Sequence, residues 1–168
     1  MNVPSEKLKF VNAIIPVANA FVTGTGVTSD IINMENYKKC TFVVITGATA
    51  VTVNTITVFA GVDNVTCATP IVFKYRTQAA ADVPDAGSDV PTALAQAAVA
   101  GFPSIASIIG NMSIIEVDAA DVAAGITGGD HCALRLKDTP AAAAQVGCVI
   151  AILSEPRYAQ DVLATAID

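Results

Sequence analysis

His131 and Cys132 stand side by side, and an imidazole beside a thiol is the smallest set for nucleophilic catalysis, because the ring can take the thiol proton. The pattern around them argues against that use. Cys132, Leu134 and Leu136 alternate with Arg135 and Lys137, which predicts a strand, and adjacent strand residues point to opposite faces. His131 reads instead as a strand-start residue at a solvated edge. It is the only histidine in the chain, so every histidine-dependent triad and metal set is limited at once. Glu116, Asp118 and Asp121 offer carboxylates of the kind that serve hydrolases or hold Ca²⁺. Only Glu116 and Asp118 share a strand face, and Asp121 is expected to cap a short turn. If the strand of Ile115 and Val117 pairs with that of Cys132 and Leu134, Arg135 and Lys137 meet these acids across the outer face. Such cross-strand pairs contribute about 0.2–1 kcal/mol each and are structural.

The remaining chemistry-bearing groups are sparse. Cys40, Cys67, Cys132 and Cys148 lie far apart with no C-x-x-C pair, so no metal site is predicted and reduced, buried thiols are expected. Gly24-Thr25-Gly26 and Gly128-Gly129 lack the glycine spacing that cradles phosphate, and neither G-x-S-x-G nor H-E-x-x-H occurs. No catalytic, cofactor-binding or metal-binding residue is assigned, and the chain is read as a non-enzymatic protein that works by packing.

The elements that position these groups read as strands. The 168 residues support one domain, or one domain with arms, and a hydrophobic share of 53% against 14% charged residues argues for a folded chain. With no tryptophan and only 5% aromatic residues, the core must rest on Val, Ile, Ala and Leu, which suit pleated surfaces. A net charge of −6 with scattered Lys and Arg makes nucleic acid a poor partner. No apolar stretch reaches the roughly 18–20 residues of a membrane span, and no export signal is evident, so cytoplasmic assembly is expected.

Phe42-Val43-Val44-Ile45 is apolar on both faces, as a strand covered on both sides would be. Between Val51 and Ala60 the alternation changes phase, which predicts a β-bulge near Asn54-Thr55. Ile71, Phe73 and Tyr75 alternate with Lys74 and Arg76, residues 78–91 read as an exposed loop, and Cys148–Leu153 reads as a final buried strand. Ala93–Ala100 carries helical propensity between Pro91 and Gly101, and both assignments stay open there. Val162, Leu163, Ala166 and Ile167 have helical spacing. Short strands and turn signals predict an all-β sandwich or jelly roll spanning residues 29–155, with an extended N-terminal arm, 1–28, and a C-terminal tail, 156–168. Pro4 and Pro16 discourage a long helix in the arm, and its large apolar groups must dock on something. Phe10, Ile14, Ile15 and Phe21 are therefore candidate interface residues.

Three segments carry a resemblance. Met34-Glu35-Asn36-Tyr37-Lys38-Lys39-Cys40-Thr41-Phe42 resembles the "xNYxxCTFxI" opening of small virion proteins of tailed double-stranded DNA phages. Ile114-Ile115-Glu116-Val117-Asp118-Ala119 resembles their "YVIEVDA" strand, and Ala151 through Tyr158 their "AILSEPRY" close. The order is preserved over roughly residues 35–158, although Ser113 stands where the pattern has an aromatic and the chain departs around Gly128–Cys132. The resemblance implies a head decoration, or cement, protein: a homotrimer with a β-sandwich or jelly-roll core. Such a protein sits on the outer surface of the capsid and stabilises the shell by bridging major capsid subunits, with no cofactor. Arg157 and Tyr158, which close the third segment, join the candidate interface. A tail-tube or head-completion subunit and a carbohydrate-binding sandwich, the latter limited to Tyr37, Tyr75 and Tyr158 for stacking, are the alternative readings.

Overall fold

β-Branched residues populate most of the paired segments. A computed structural model describes residues 7–18, 20, 22–23, 26–47, 53–78, 90–104, 111–139, 146–157 and 163–167. In chain order the strands are β1 (Lys9–Val17), β2 (Val22–Thr23), β3 (Val27–Thr28), β4 (Ile32–Asn33), β5 (Tyr37–Thr46), β6 (Val53–Gly61), β7 (Cys67–Ile71), β8 (Phe73–Gln78), β9 (Ala95–Ala97), β10 (Phe102–Ser104) and β11 (Asn111–Asp118). A short helix α1 (Ala119–Gly125) then leads to β12 (His131–Thr139) and β13 (Gly147–Pro156). One antiparallel sheet of six strands runs β1-β13-β5-β11-β8-β9. The other, of seven strands, runs β10-β6-β12-β2, with β3 and β4 also on β12 and β7 on β6. The two sheets pack together as the predicted β-sandwich.

The alternation read from the sequence places the core. Phe42 and Val44 of β5, Ile115 and Val117 of β11, and Val149, Ala151 and Leu153 of β13 are buried from one sheet. Ile56 and Val58 of β6 and Cys132, Leu134 and Leu136 of β12 are buried from the other, and all join one apolar cluster. Aromatic rings stitch one end: Phe102 of β10 stacks on Tyr75 of β8 at 3.9 Å between centroids and meets Phe73 edge-on at 6.0 Å. Gly101 permits that approach. Its φ is +87°, and a Cβ there would lie 2.2 Å from the Ile56 carbonyl oxygen.

Several sequence expectations are corrected. Residues 9–17 are not an arm. They form the edge strand of the six-stranded sheet, with Phe10 opposite Ile152 and Val11 opposite Ala151. Val11, Ala13 and Ile14 enter the core, because apolar groups find their cover on the chain's own β13 edge. Pro16 is tolerated near the end of an edge strand, where a missing N–H costs little. The described part of the tail, 163–167, is not helical. Its carbonyls are taken by distant donors: Asn33 N–H bonds the Ala166 oxygen at 2.9 Å, and Tyr37 Oη–H bonds Ala164.

β6 pairs with β12 in unbroken register from Val53 to Gly61, so no bulge sits at Asn54-Thr55; the irregularity lies at Ala60/Gly61 against β7. Val51, on which the phase change rested, is outside the described residues. Residues 95–97 form β9 because pairing with β8 outweighs alanine's helical propensity. The predicted loop at 78–91 lies largely outside the described residues. Finally, β11 and β12 belong to different sheets, so Glu116 and Asp118 do not meet Arg135 and Lys137. Glu116 pairs across to Lys74 and Asp118 to Lys39, which preserves the charge logic with different partners.

Candidate interaction surface

In a sandwich, residues that alternate with the core face outward. On the six-stranded sheet these outward positions are unusually apolar. The register sets them in rows: Phe10–Ile152–Thr41–Glu116–Lys74 runs across β1, β13, β5, β11 and β8, and Asn12–Ile150–Val43–Ile114–Arg76 runs beside it. A third row holds Cys148, Ile45 and Met112. Ile150, Ile152, Val43 and Ile114 are only half-buried, sheltered by one another, while Phe10 and Ile45 are 52% and 40% exposed. The centre is therefore apolar and the charged groups Glu116, Lys74 and Arg76 lie to one side, an apolar core with a polar rim as in protein interfaces.

The opposite face of the molecule differs. On β6 and β12 the outward residues include Thr55, Thr57, Arg135 and Lys137, and the Arg135 guanidinium lies 4.1 Å over the Phe59 ring. Threonine, lysine and a stacked arginine make this face the more polar of the two, although Phe59, Pro70 and Val99 line a groove there and Arg135 Nε is buried without a hydrogen-bond partner. The six-stranded sheet thus presents the drier face and the seven-stranded sheet the wetter one.

At one end of the dry face the strands open onto a groove of about 660 Å³. The charged Lys38, Lys39, Asp118, Asp121, Glu155 and Arg157 line it together with Ala119, Ala120 and Ala123. Lys39 Nζ contacts Glu155 Oε1 at 3.1 Å. This hydrogen bond, then the charges of Glu155 and Asp118, raise the solvent-exposed Lys39 ammonium above its ordinary range. Glu155 takes φ +54°, a left-handed conformation unusual for a side-chain-bearing residue, at the point where β13 ends.

The sequence candidates separate cleanly. Phe10 belongs to the dry face, and Ile15 is 67% exposed on the same edge strand. Ile14 is corrected: it is buried in the chain's own core and offers nothing to a partner. Arg157 is exposed at the groove, anchored through its backbone N–H to the Asn36 oxygen at 2.9 Å. Phe21 and Tyr158 lie outside the described residues. The outward Ile45, Ile114, Ile150 and Ile152 were missed. For Ile45, Ile150 and Ile152 the signal is the double-sided apolar character of Phe42–Ile45 and Cys148–Leu153, while Ile114 lies in neither segment. Among the described residues the second sheet covers one side only.

His131 starts β12 as expected but is corrected to buried, with Nδ1 against Asp130 Oδ1; Cys132 points the other way into the core. The four cysteines are free thiols, Cys40 and Cys132 buried, Cys67 and Cys148 half-buried. Among the described residues no three His, Cys, Asp or Glu side chains gather to hold a metal ion, and no helix is long and apolar enough to cross a membrane. Compared with protein-family models, with curated proteins and with solved structures, the chain finds no match in any of the three.

Proposed function

We propose that the protein is a structural virion subunit of the head-decoration kind, which binds the outer surface of a phage capsid as a homotrimer and holds neighbouring major capsid subunits together. One observation carries this reading. The three segments that resemble such proteins are far apart in the chain, yet they run as the adjacent strands β13, β5 and β11. Their outward residues Ile152, Thr41, Glu116 and Ile114 belong to the dry face, and Lys39, Asp118, Glu155 and Arg157 line the groove at its end. The nearness of the three segments to one apolar outer face supports the docking reading, and their charged ends meet at the groove beside it.

The physics of a shell fits such a subunit. Packaged DNA pushes outward, and a protein lying across a joint resists opening because separation exposes apolar area again, at roughly 25 cal/mol per Å². The dry sheet suits the capsid side and the Thr-, Arg- and Lys-bearing sheet suits solvent. A net charge of −6 suits the outside of a shell, away from DNA that would repel it.

Heads assembled without the protein test the proposal. They are expected to bind it, and to release DNA at a higher temperature once bound. Ile150→Asp, outward on β13, is expected to keep the circular dichroism and melting of the parent while losing head binding. Full binding by this variant moves the contact off the dry face. A parent protein that stays monomeric at micromolar concentration and does not bind heads sinks the reading.

A further inference from the structure

Two short strands share one edge of β6. β10 pairs with residues 54–56 and β7 with residues 58–61, while β12 takes the other edge whole. The turn that leads into β10 is held against β6 at their junction. Gly101 N–H bonds the Ala98 oxygen at 2.8 Å, and a Cβ on Gly101 would lie 2.5 Å from the Thr57 methyl. This close approach walls in a groove of about 390 Å³ on the outer face of the seven-stranded sheet, within the roughly 300–1,000 Å³ of small-molecule sites.

The groove is apolar on one side and basic on the other. Phe59, Pro70 and Val99 line it, as do Arg135, opposite Thr57 in the ladder, and Lys137, opposite Thr55. No carboxylate lines it, in a chain whose net charge is −6. Both cations are half-buried, and neither makes an ion pair among the described residues. Two residues apart on one strand face, they repel each other. The Arg135 guanidinium sits 4.1 Å over the Phe59 ring. That contact engages its charge and none of its N–H donors, and Nε is buried with no hydrogen-bond partner.

We propose that this groove binds a small organic carboxylate, with the charged end on Arg135 and Lys137 and the apolar body against Phe59, Pro70 and Val99. A guanidinium fork matches the two oxygens of a carboxylate, which supplies the acceptor that Nε lacks. Nε is shielded in the free protein, so seating the ligand slides the guanidinium along the ring, a side-chain movement that leaves the strands in place. Lys137 adds a second positive charge and relieves its repulsion with Arg135 through the shared anion. The apolar wall favours an anion that carries a hydrocarbon body over an inorganic one. The site lies on the sheet opposite the docking face and is independent of that reading.

Isotope-labelled full-length protein is titrated at constant ionic strength with benzoate, acetate, inorganic phosphate and benzyl alcohol. Binding is followed by NMR through the Arg135 Nε–H signal and the amides of Thr55 and Thr57. Benzoate is expected to shift these signals saturably and to bind about tenfold more tightly than acetate, because the ring adds apolar contact. Arg135→Gln is expected to weaken benzoate by about tenfold or more, and Lys137→Gln by about threefold. The second variant keeps the site testable if the first folds poorly. Shifts that follow ionic strength alone, that persist undiminished in both variants, or that benzyl alcohol reproduces overturn the proposal. Acetate or phosphate binding as tightly as benzoate overturns it as well.

Discussion

Tyr37 donates its hydroxyl hydrogen to the Ala164 carbonyl at 2.7 Å, tying the first residue of the central strand β5 to the C-terminal segment. Ala166 is fully buried beside it and Leu163 packs on the core, so the segment straps the sandwich. Tyr37→Phe keeps the ring and removes the bond, for an expected loss of about 1 kcal/mol. The urea midpoint should fall with an unchanged slope, and the Asn33 amide, bonded to Ala166, should exchange faster.

Ile14 and Ile15 are chain neighbours with opposite fates, 7% and 67% exposed. Ile14→Ala is expected to destabilise by about 2–4 kcal/mol, and Ile15→Ala by less than about 0.5 kcal/mol. Denaturant unfolding of the two variants measures the contrast. Deleting residues 1–22 removes all of β1 and bares the β13 edge, so thermal melts should lose cooperativity and aggregation should rise.

The two outer faces should respond differently to a carboxylate. Ile45→Glu on the dry face is expected to stay folded and to lower the oligomer mass measured by light scattering. Thr57→Glu on the wet face is expected to leave that mass unchanged. Equal effects from both substitutions would remove the distinction on which the docking face rests.

Alkaline pH should weaken the fold through groups that hold their protons more tightly when native. Burial, with the Cys132 and Asp63 charges behind it, pushes the Cys67 thiol from an ordinary 9.0 up to about 12. Burial likewise raises the Tyr37 phenol above its ordinary 10.0. In each case the unfolded chain loses the proton first, so the stabilisation is complete below the unfolded value and is lost as pH rises through the folded one. The melting temperature should hold between pH 7 and 8 and fall above about pH 9. Cys67→Ala should flatten the fall between about pH 9 and 12, in scans compared with the parent.

Alternation made much of the interior legible. Phe42 and Val44, Ile115 and Val117, and Cys132, Leu134 and Leu136 are buried where a period of two puts them, because facing is a local property of a pleated strand. The count of one histidine and the net charge of −6 are likewise read without coordinates. Pairing is not local. That β11 lies beside β5 and β8 and not β12, and that Glu116 meets Lys74, depend on which long-range arrangement buries the most apolar area with every ladder bond made. The same competition turned residues 9–17 from an expected arm into an edge strand, since an open β13 edge offered both hydrogen bonds and cover. It also left Ile45, Ile114, Ile150 and Ile152 facing outward. The sequence by itself determined that these strands are apolar on both sides; only the tertiary structure decided that one of those sides has no cover among the described residues, because a sandwich of two sheets has only one interior.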